Sequence, residues 1–115
     1  MTPELIVEKA CKLLDEKKGK DIISINVADH TSVCDYFVIC SGGNTNHVRA
    51  LCDNLEEELK KSFELSAKSK DGYNEGRWIA LDYGDVVFHI FNDETRLFYH
   101  LERLWAFGDN VKRVN

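Results

Sequence analysis

Apolar positions recur along this chain at two spacings, and the changes between them mark the elements. Ile6, Ala10, Leu13 and Leu14 repeat at helical spacing. Thr2 ahead of them is a good N-cap, and Pro3 suits the first helical position, where no backbone donor is needed. Lys17 and Lys18 complement the C-terminal end of the helix dipole, and Gly19 offers a left-handed stop. The spacing predicts a helix over 3–18. Ile22 to Val27 is β-branched and half alternating, a strand, with Ala28–Ser32 as a connecting loop. Tyr36 to Cys40 is a continuous apolar run, the signature of a central strand covered on both faces. Ser41–Thr45 follows as a turn with helix-capping chemistry. Val48, Leu51, Cys52, Leu55, Leu59 and Phe63 then mark a long helix reaching about Lys61.

Leu65 to Lys68 reads as a short edge strand, with lysine discouraging edge-to-edge pairing. Residues 70–76 are the most loop-like segment. Beyond them lies the clearest hairpin: Arg77–Asp82, a Tyr83-Gly84 turn, and Asp85–Phe91. This turn pairs Asp82 with Asp85, Ala80 with Val87 and Trp78 with His89. Asp93 caps a final helix with Leu97, Phe98, Leu101, Leu104 and Trp105 on its apolar stripe and Gly108 at its end. Residues 109–115 read as a short polar tail, leaving 1–108 as a single domain. The fold class expected is α/β, one mixed β-sheet of about five strands with helices.

Side chains alternate across a strand, so the hairpin has two faces. Ile79, Leu81, Val86, Phe88 and Ile90 make one purely apolar face that meets the helices. Trp78, Ala80, Asp82, Asp85, Val87, His89 and Phe91 make the other, which mixes rings, carboxylates and an imidazole. Such a face either binds a partner or borders a final helix folded back over it. An open face would be aromatic and negative, and would suit a positively charged protein surface.

Composition narrows the partners. The chain has 115 residues, about the size of one domain. Fifteen basic residues against 20 acidic ones give a net charge of −5, which argues against a non-specific grip on nucleic acid. Hydrophobic residues make up 43% and charged residues 30%, an ordinary globular balance, and no run approaches the roughly 18 apolar residues of a membrane span. No secretory signal is visible, and the four cysteines suit buried free thiols in a reducing compartment. A cytoplasmic protein is expected.

Catalytic signals are weak. Ser41-Gly42-Gly43-Asn44-Thr45 sits where backbone donors can cradle an anion, but matches neither common phosphate-loop spacing. His30, His47, His89 and His100 form no metal-ligand spacing with one another or with the cysteines, so no metal is expected. Asp82 and Asp85 share a face in the deduced register, which keeps open a nucleotidyltransferase-like or nucleotide-binding alternative. They flank a turn, however, whereas such sites usually place two acids one residue apart on a strand.

Asp35-Tyr36-Phe37-Val38-Ile39-Cys40-Ser41-Gly42, with His47-Val48-Arg49-Ala50, resembles the first half of the ribosomal silencing factor (Iojap-like) family. Glu75 through Phe91 is similar to its second half, and Arg96, Tyr99, Leu101-Glu102 and Leu104-Trp105 complete the pattern. The likeness runs from the first helix to Trp105. It departs after Ser41-Gly42, where a small residue is usual and this chain has Gly43-Asn44. The resemblance implies a nucleotidyltransferase-like topology without the catalytic acids, and a binding protein with no cofactor. It also implies docking on the large ribosomal subunit through ribosomal protein number fourteen, which blocks subunit joining and represses translation under nutrient limitation. Members are often homodimers. The residues expected to meet the ribosomal protein are Trp78, Asp82, Tyr83, Asp85, His89, Phe91, Arg96, Tyr99, Glu102 and Trp105. Among them the large rings serve as anchors, the acids answer basic side chains, and His89 and Arg96 orient the patch. A dimer that scaffolds some other factor is a third reading.

Overall fold

The computed structural model describes residues 2–115; Met1, the first residue of the expected domain, lies outside them. In chain order the elements are α1 (Pro3–Glu16), β1 (Lys20–Asn26), β2 (Tyr36–Gly42), α2 (Thr45–Phe63), β3 (Ser69–Asp71), β4 (Trp78–Asp82), β5 (Val86–Asn92), α3 (Asp93–Tyr99), α4 (Leu101–Trp105) and β6 (Val111–Arg113). The strands form one six-stranded sheet in the order β3-β4-β5-β2-β1-β6. β2 and β5 are parallel, and every other pairing is antiparallel.

Both long helices start as their sequences dictate. The Thr2 hydroxyl accepts from the Leu5 N–H at 3.3 Å, and the Asn44 side chain accepts from the His47 N–H at 2.8 Å. The left-handed stop of α1 falls on Lys18 (φ 65°) rather than on Gly19. α1 and α2 pack together on one face of the sheet, over Ile22, Val38, Cys40, Ile79, Leu81, Val86, Phe88 and Ile90. The opposite face gathers Ile23, Ile25, Phe37, Ile39 and Phe91 under Trp78, Leu101 and Trp105. β2 contributes to both clusters, as its unbroken apolar run requires, and is buried from Phe37 onward. No helix among the described residues is long and apolar enough to cross a membrane.

Four expectations need correction. The edge strand lies at Ser69–Asp71 rather than Leu65–Lys68, because Leu65 and Ala67 pack against the core and pairing with β4 begins only where Lys68 N–H reaches Asp82 O, at 2.6 Å. The hairpin turn is centred on Gly84 and Asp85: Tyr83 N–H donates to Val86 O at 2.9 Å, and Gly84 has φ 88°. A glycine with positive φ belongs at the first central position of a tight hairpin turn. Trp78 therefore faces Phe91, Ala80 faces His89 and Asp82 faces Val87. The register moves by two residues, so both faces keep their members.

The third correction is that the last helix is two helices, broken at His100, whose φ and ψ of 47° and 48° are left-handed. Leu97, Phe98 and Leu104 are consequently exposed, not core. The fourth is that the polar tail carries β6. It pairs with β1 from Ile23 to Ile25, and Asn115 closes the edge by accepting from Ile22 N–H at 2.9 Å and donating to Gly19 O at 3.0 Å.

The turn before β4 supplies a stability test. Gly72 has φ 82°, and a Cβ there would lie 2.0 Å from the Trp78 carbonyl oxygen. Gly72→Ala combines left-handed strain with a backbone clash, and is expected to cost about 3 kcal/mol. Urea unfolding at neutral pH measures it; a midpoint equal to that of the parent chain would show that the turn relaxes freely.

Candidate protein-docking site

The mixed face of the hairpin is where chemistry and packing meet. Trp78 on β4 lies directly across from Phe91 on β5, with ring centroids 4.8 Å apart and nearly parallel. Its indole Nε1–H donates to His89 Nδ1 at 3.0 Å. That bond requires Nδ1 to be an acceptor, so the imidazole is neutral with its proton on Nε2. Burial pushes the His89 pKa down to about 4. Phe37 stands edge-on to both His89 and Trp105, at 5.3 Å in each case. Tyr99 tilts over Trp78 at 4.9 Å. The final helices therefore do fold back, and they roof this face.

The expected site residues separate accordingly. Phe91 is fully buried. Tyr83 points to the other side of the sheet, into the core beneath α1 and α2, and its hydroxyl has no partner among the described residues. Asp82 is half-buried and its carboxylate accepts from Gly84 N–H at 2.7 Å, while Asp85 is exposed. Trp78, His89 and Trp105 lie half-buried at the rim of the roof, and Tyr99 is exposed. Arg96 is buried: its Nε–H donates to Glu102 Oε2 at 3.1 Å and its Nη1–H to Ser41 Oγ at 2.9 Å.

The surface that sequence reasoning assigned to the core is the outward one. Leu97, Phe98, Leu104 and Phe107 are all more than half exposed, with Phe98 at 81%. With Tyr99 they make up an outward apolar ridge: Leu97, Phe98 and Tyr99 from α3, Leu104 from α4 and Phe107 just after it. A signal for it was present: Leu97, Phe98 and Tyr99 are adjacent, and three successive helical positions span about 200°, wider than one buried face.

Other chemistry is accounted for locally. In the glycine loop after β2, Gly43 N–H donates to His47 Nδ1 at 2.9 Å, and the His47 and Val48 N–H groups are taken by Asn44. Three of the loop's donors are thus already used within the chain. A cleft of about 490 Å³ opens beyond the carboxyl ends of β2 and β5, where α/β sheets commonly bind ligands. Its cations are paired with acids there: Lys20 with Asp93, Arg96 with Glu102, and Arg113 with Asp21. Cys52, Asp53 and Glu56 approach one another within 4.8 Å, but Lys70 holds Glu56 at 3.1 Å and Tyr73 donates to Asp53 at 2.9 Å. All four cysteines are buried and free. Burial raises Cys11 and Cys34 to about 11 and Cys40 and Cys52 to about 12, leaving protonated, unreactive thiols.

The state of His89 gives a pH prediction. Its folded pKa of about 4 lies below the ordinary histidine value of 6.5, so below pH 6.5 the unfolded chain takes up a proton that the folded chain refuses. Stability is full above 6.5 and falls as the pH drops toward 4, by about 1.4 kcal/mol per unit. Between pH 7 and pH 5 the parent chain should lose about 2 kcal/mol more than His89→Asn, whose amide oxygen keeps an acceptor for Trp78. Urea titrations of both proteins at the two pH values measure the difference, and equal losses would contradict a buried neutral imidazole.

The family model described as "Ribosomal silencing factor during starvation" matches residues 1–115. The ribosomal silencing factor of Haemophilus influenzae is 38% identical over 102 residues, covering 88% of this chain and 98% of that one. That of Bacillus subtilis is 32% identical over 106 residues, 92% of this chain and 89% of its relative. A crystal structure of a Chromobacterium violaceum protein superposes with a TM-score of 0.89 at 29% identity, over 95% of this chain and 90% of that one. By the match along its whole length, this chain belongs to the ribosomal silencing factor family.

Proposed function

We propose that this chain docks on the large ribosomal subunit through ribosomal protein number fourteen and, by occupying the surface that faces the small subunit, keeps the two subunits apart and represses translation when nutrients are short. The observation that carries this reading is the ridge of Leu97, Phe98, Tyr99, Leu104 and Phe107. Several large apolar side chains left exposed on one short segment are more than scattered surface residues, and are characteristic of protein-binding sites. Asp85, Asp93 and Glu94 are exposed on neighbouring segments, and half-buried Asp82 adds a further acid, which suits a basic partner. With a net charge of −5, the chain has little to offer a phosphate backbone, so the contact is with protein.

Inhibition needs no chemistry. The domain measures 34 × 33 × 24 Å, far thicker than any gap two closely apposed surfaces could share. Silencing then requires only that the docked domain stay longer than the incoming subunit can wait. A homodimer of the free protein belongs to the same proposal.

Co-sedimentation with purified large subunits, followed by addition of small subunits, tests the reading. The parent chain should sediment with large subunits and lower the yield of joined ribosomes. Phe98→Glu and Leu104→Glu, both at exposed positions, should each weaken binding by about tenfold while leaving the urea midpoint nearly unchanged. Reversing Asp82 and Asp85 together to lysine should slow association and flatten its salt dependence. Full silencing by both sets of variants would place the contact elsewhere.

A further inference from the structure

Arg96 and Glu102 fit the family pattern as candidate contacts, yet Arg96 is buried and its guanidinium is engaged by Glu102 and Ser41 within the chain. We infer that Arg96 is a positioning residue: it touches no ribosomal component, and instead fastens α4 to the sheet so that the outer ridge is held in its docking geometry. This rests on the docking role proposed above.

On its own, α4 has little to hold it. Five residues are too few for a helix to be stable in isolation, and none of the five is fully buried. Just before it, His100 sits in a left-handed conformation that a non-glycine residue holds only when its surroundings impose it. Something must therefore fix the direction in which the chain leaves α3. At the far end of α4 the fastener is Asn110, whose Nδ2 donates to Trp105 O at 2.8 Å and Asn26 O at 3.0 Å.

At the near end it is Arg96. The guanidinium bridges three segments at once: α3, on which it sits; β2, through Ser41 Oγ; and α4, through Glu102 Oε2. Its own carbonyl accepts from His100 N–H at 2.9 Å, so the same residue ends α3 and sets the hinge. A planar fork with five donors can serve two partners in fixed directions, which a lysine cannot. The side chain of Arg96 is 8% exposed and that of Glu102 27%, so this ion pair is largely shielded from solvent screening.

Between the two fasteners, Leu101 and Trp105 pack inward and Leu104 is turned outward. Releasing the Arg96 end leaves α4 held by the packing of Leu101 and Trp105 and by Asn110, with no polar anchor at its start. Leu104 would then no longer be held at a fixed position relative to Leu97 and Phe98 on α3.

The test compares large-subunit affinity with amide hydrogen exchange in the full chain. Parent binding is measured first, since a parent chain that does not sediment with large subunits overturns the docking role itself. Given binding, Arg96→Met should raise exchange over residues 101–105, leave β2 and β5 protected, and weaken affinity at least tenfold. Should that variant lose sheet protection as well, Ser41→Ala, which removes one hydrogen bond, takes its place with an expected loss of about threefold. The decisive variant exchanges the pair, Arg96→Glu with Glu102→Arg. The carboxylate then at position 96 can accept from the Ser41 hydroxyl and pair with the guanidinium at position 102, so protection over 101–105 and affinity should both return to within about threefold of the parent. If protection returns and affinity does not, the two charges meet the partner directly and the inference is wrong. Parent-like affinity in Arg96→Met despite an unprotected α4 would also overturn it.

Discussion

The parallel pairing of β2 with β5, running from Tyr36 opposite Val86 to Gly42 opposite Asn92, is the constraint on which the rest of the architecture depends. Both strands end at the same edge of the sheet, and there the chain must leave it twice. After β2 it turns to α2, which joins α1 over one face; after β5 it turns to α3, which lies over the other. Two helical layers of different size follow from that divergence. The large layer completes a conventional core. The small one is too short to cover its face completely, and so leaves an apolar ridge outside and half-buried rings beneath.

How much of this was legible in the chain depended on the range of the interaction concerned. β2 was legible because a parallel strand with helices on both sides is apolar at every position. The two faces of the hairpin were legible because alternation has a period of two, and even the register error preserved parity. The turn was placed one residue early because Gly84 is compatible with either central position, and only the Tyr83–Val86 hydrogen bond decides between them. β6 was missed because Val111-Lys112-Arg113 is a short, mostly polar edge strand. Its place is set by pairing with β1, far earlier in the chain, and by Asn115.

The candidate site was legible in part, for a related reason. Trp78, His89 and Phe91 were grouped correctly by alternation, and the structure joins them by a hydrogen bond and a ring stack. Exposure, however, is a property of what lies above. The break at His100 carries no glycine or proline to announce it, so the chain from Asp93 to Gly108 read as one amphipathic helix with a buried stripe. Breaking it turns Leu97, Phe98 and Leu104 outward, and directs Arg96 inward to Ser41. Tyr83 was misplaced more simply. It was treated as part of the turn, whereas it continues the alternation of Ile79 and Leu81 into the helical core.

Exposed apolar side chains on a short, weakly held segment would ordinarily collapse onto the nearest apolar surface, because burial of each large side chain is worth about 2 kcal/mol. Here that surface is already filled. Trp78 stacks on Phe91, Phe37 wedges between His89 and Trp105, and Tyr99 closes over the indole. Polar groups in the layer are matched to one another, Trp78 with His89 and Arg96 with Glu102 and Ser41. Leu97 borders the open cleft beyond β2 and β5, and Phe98 and Leu104 lie outside rings that are already packed against one another. The inner aromatic layer therefore serves the surface indirectly: because its rings are already packed on one another, Leu97, Phe98 and Leu104 are left available to another protein.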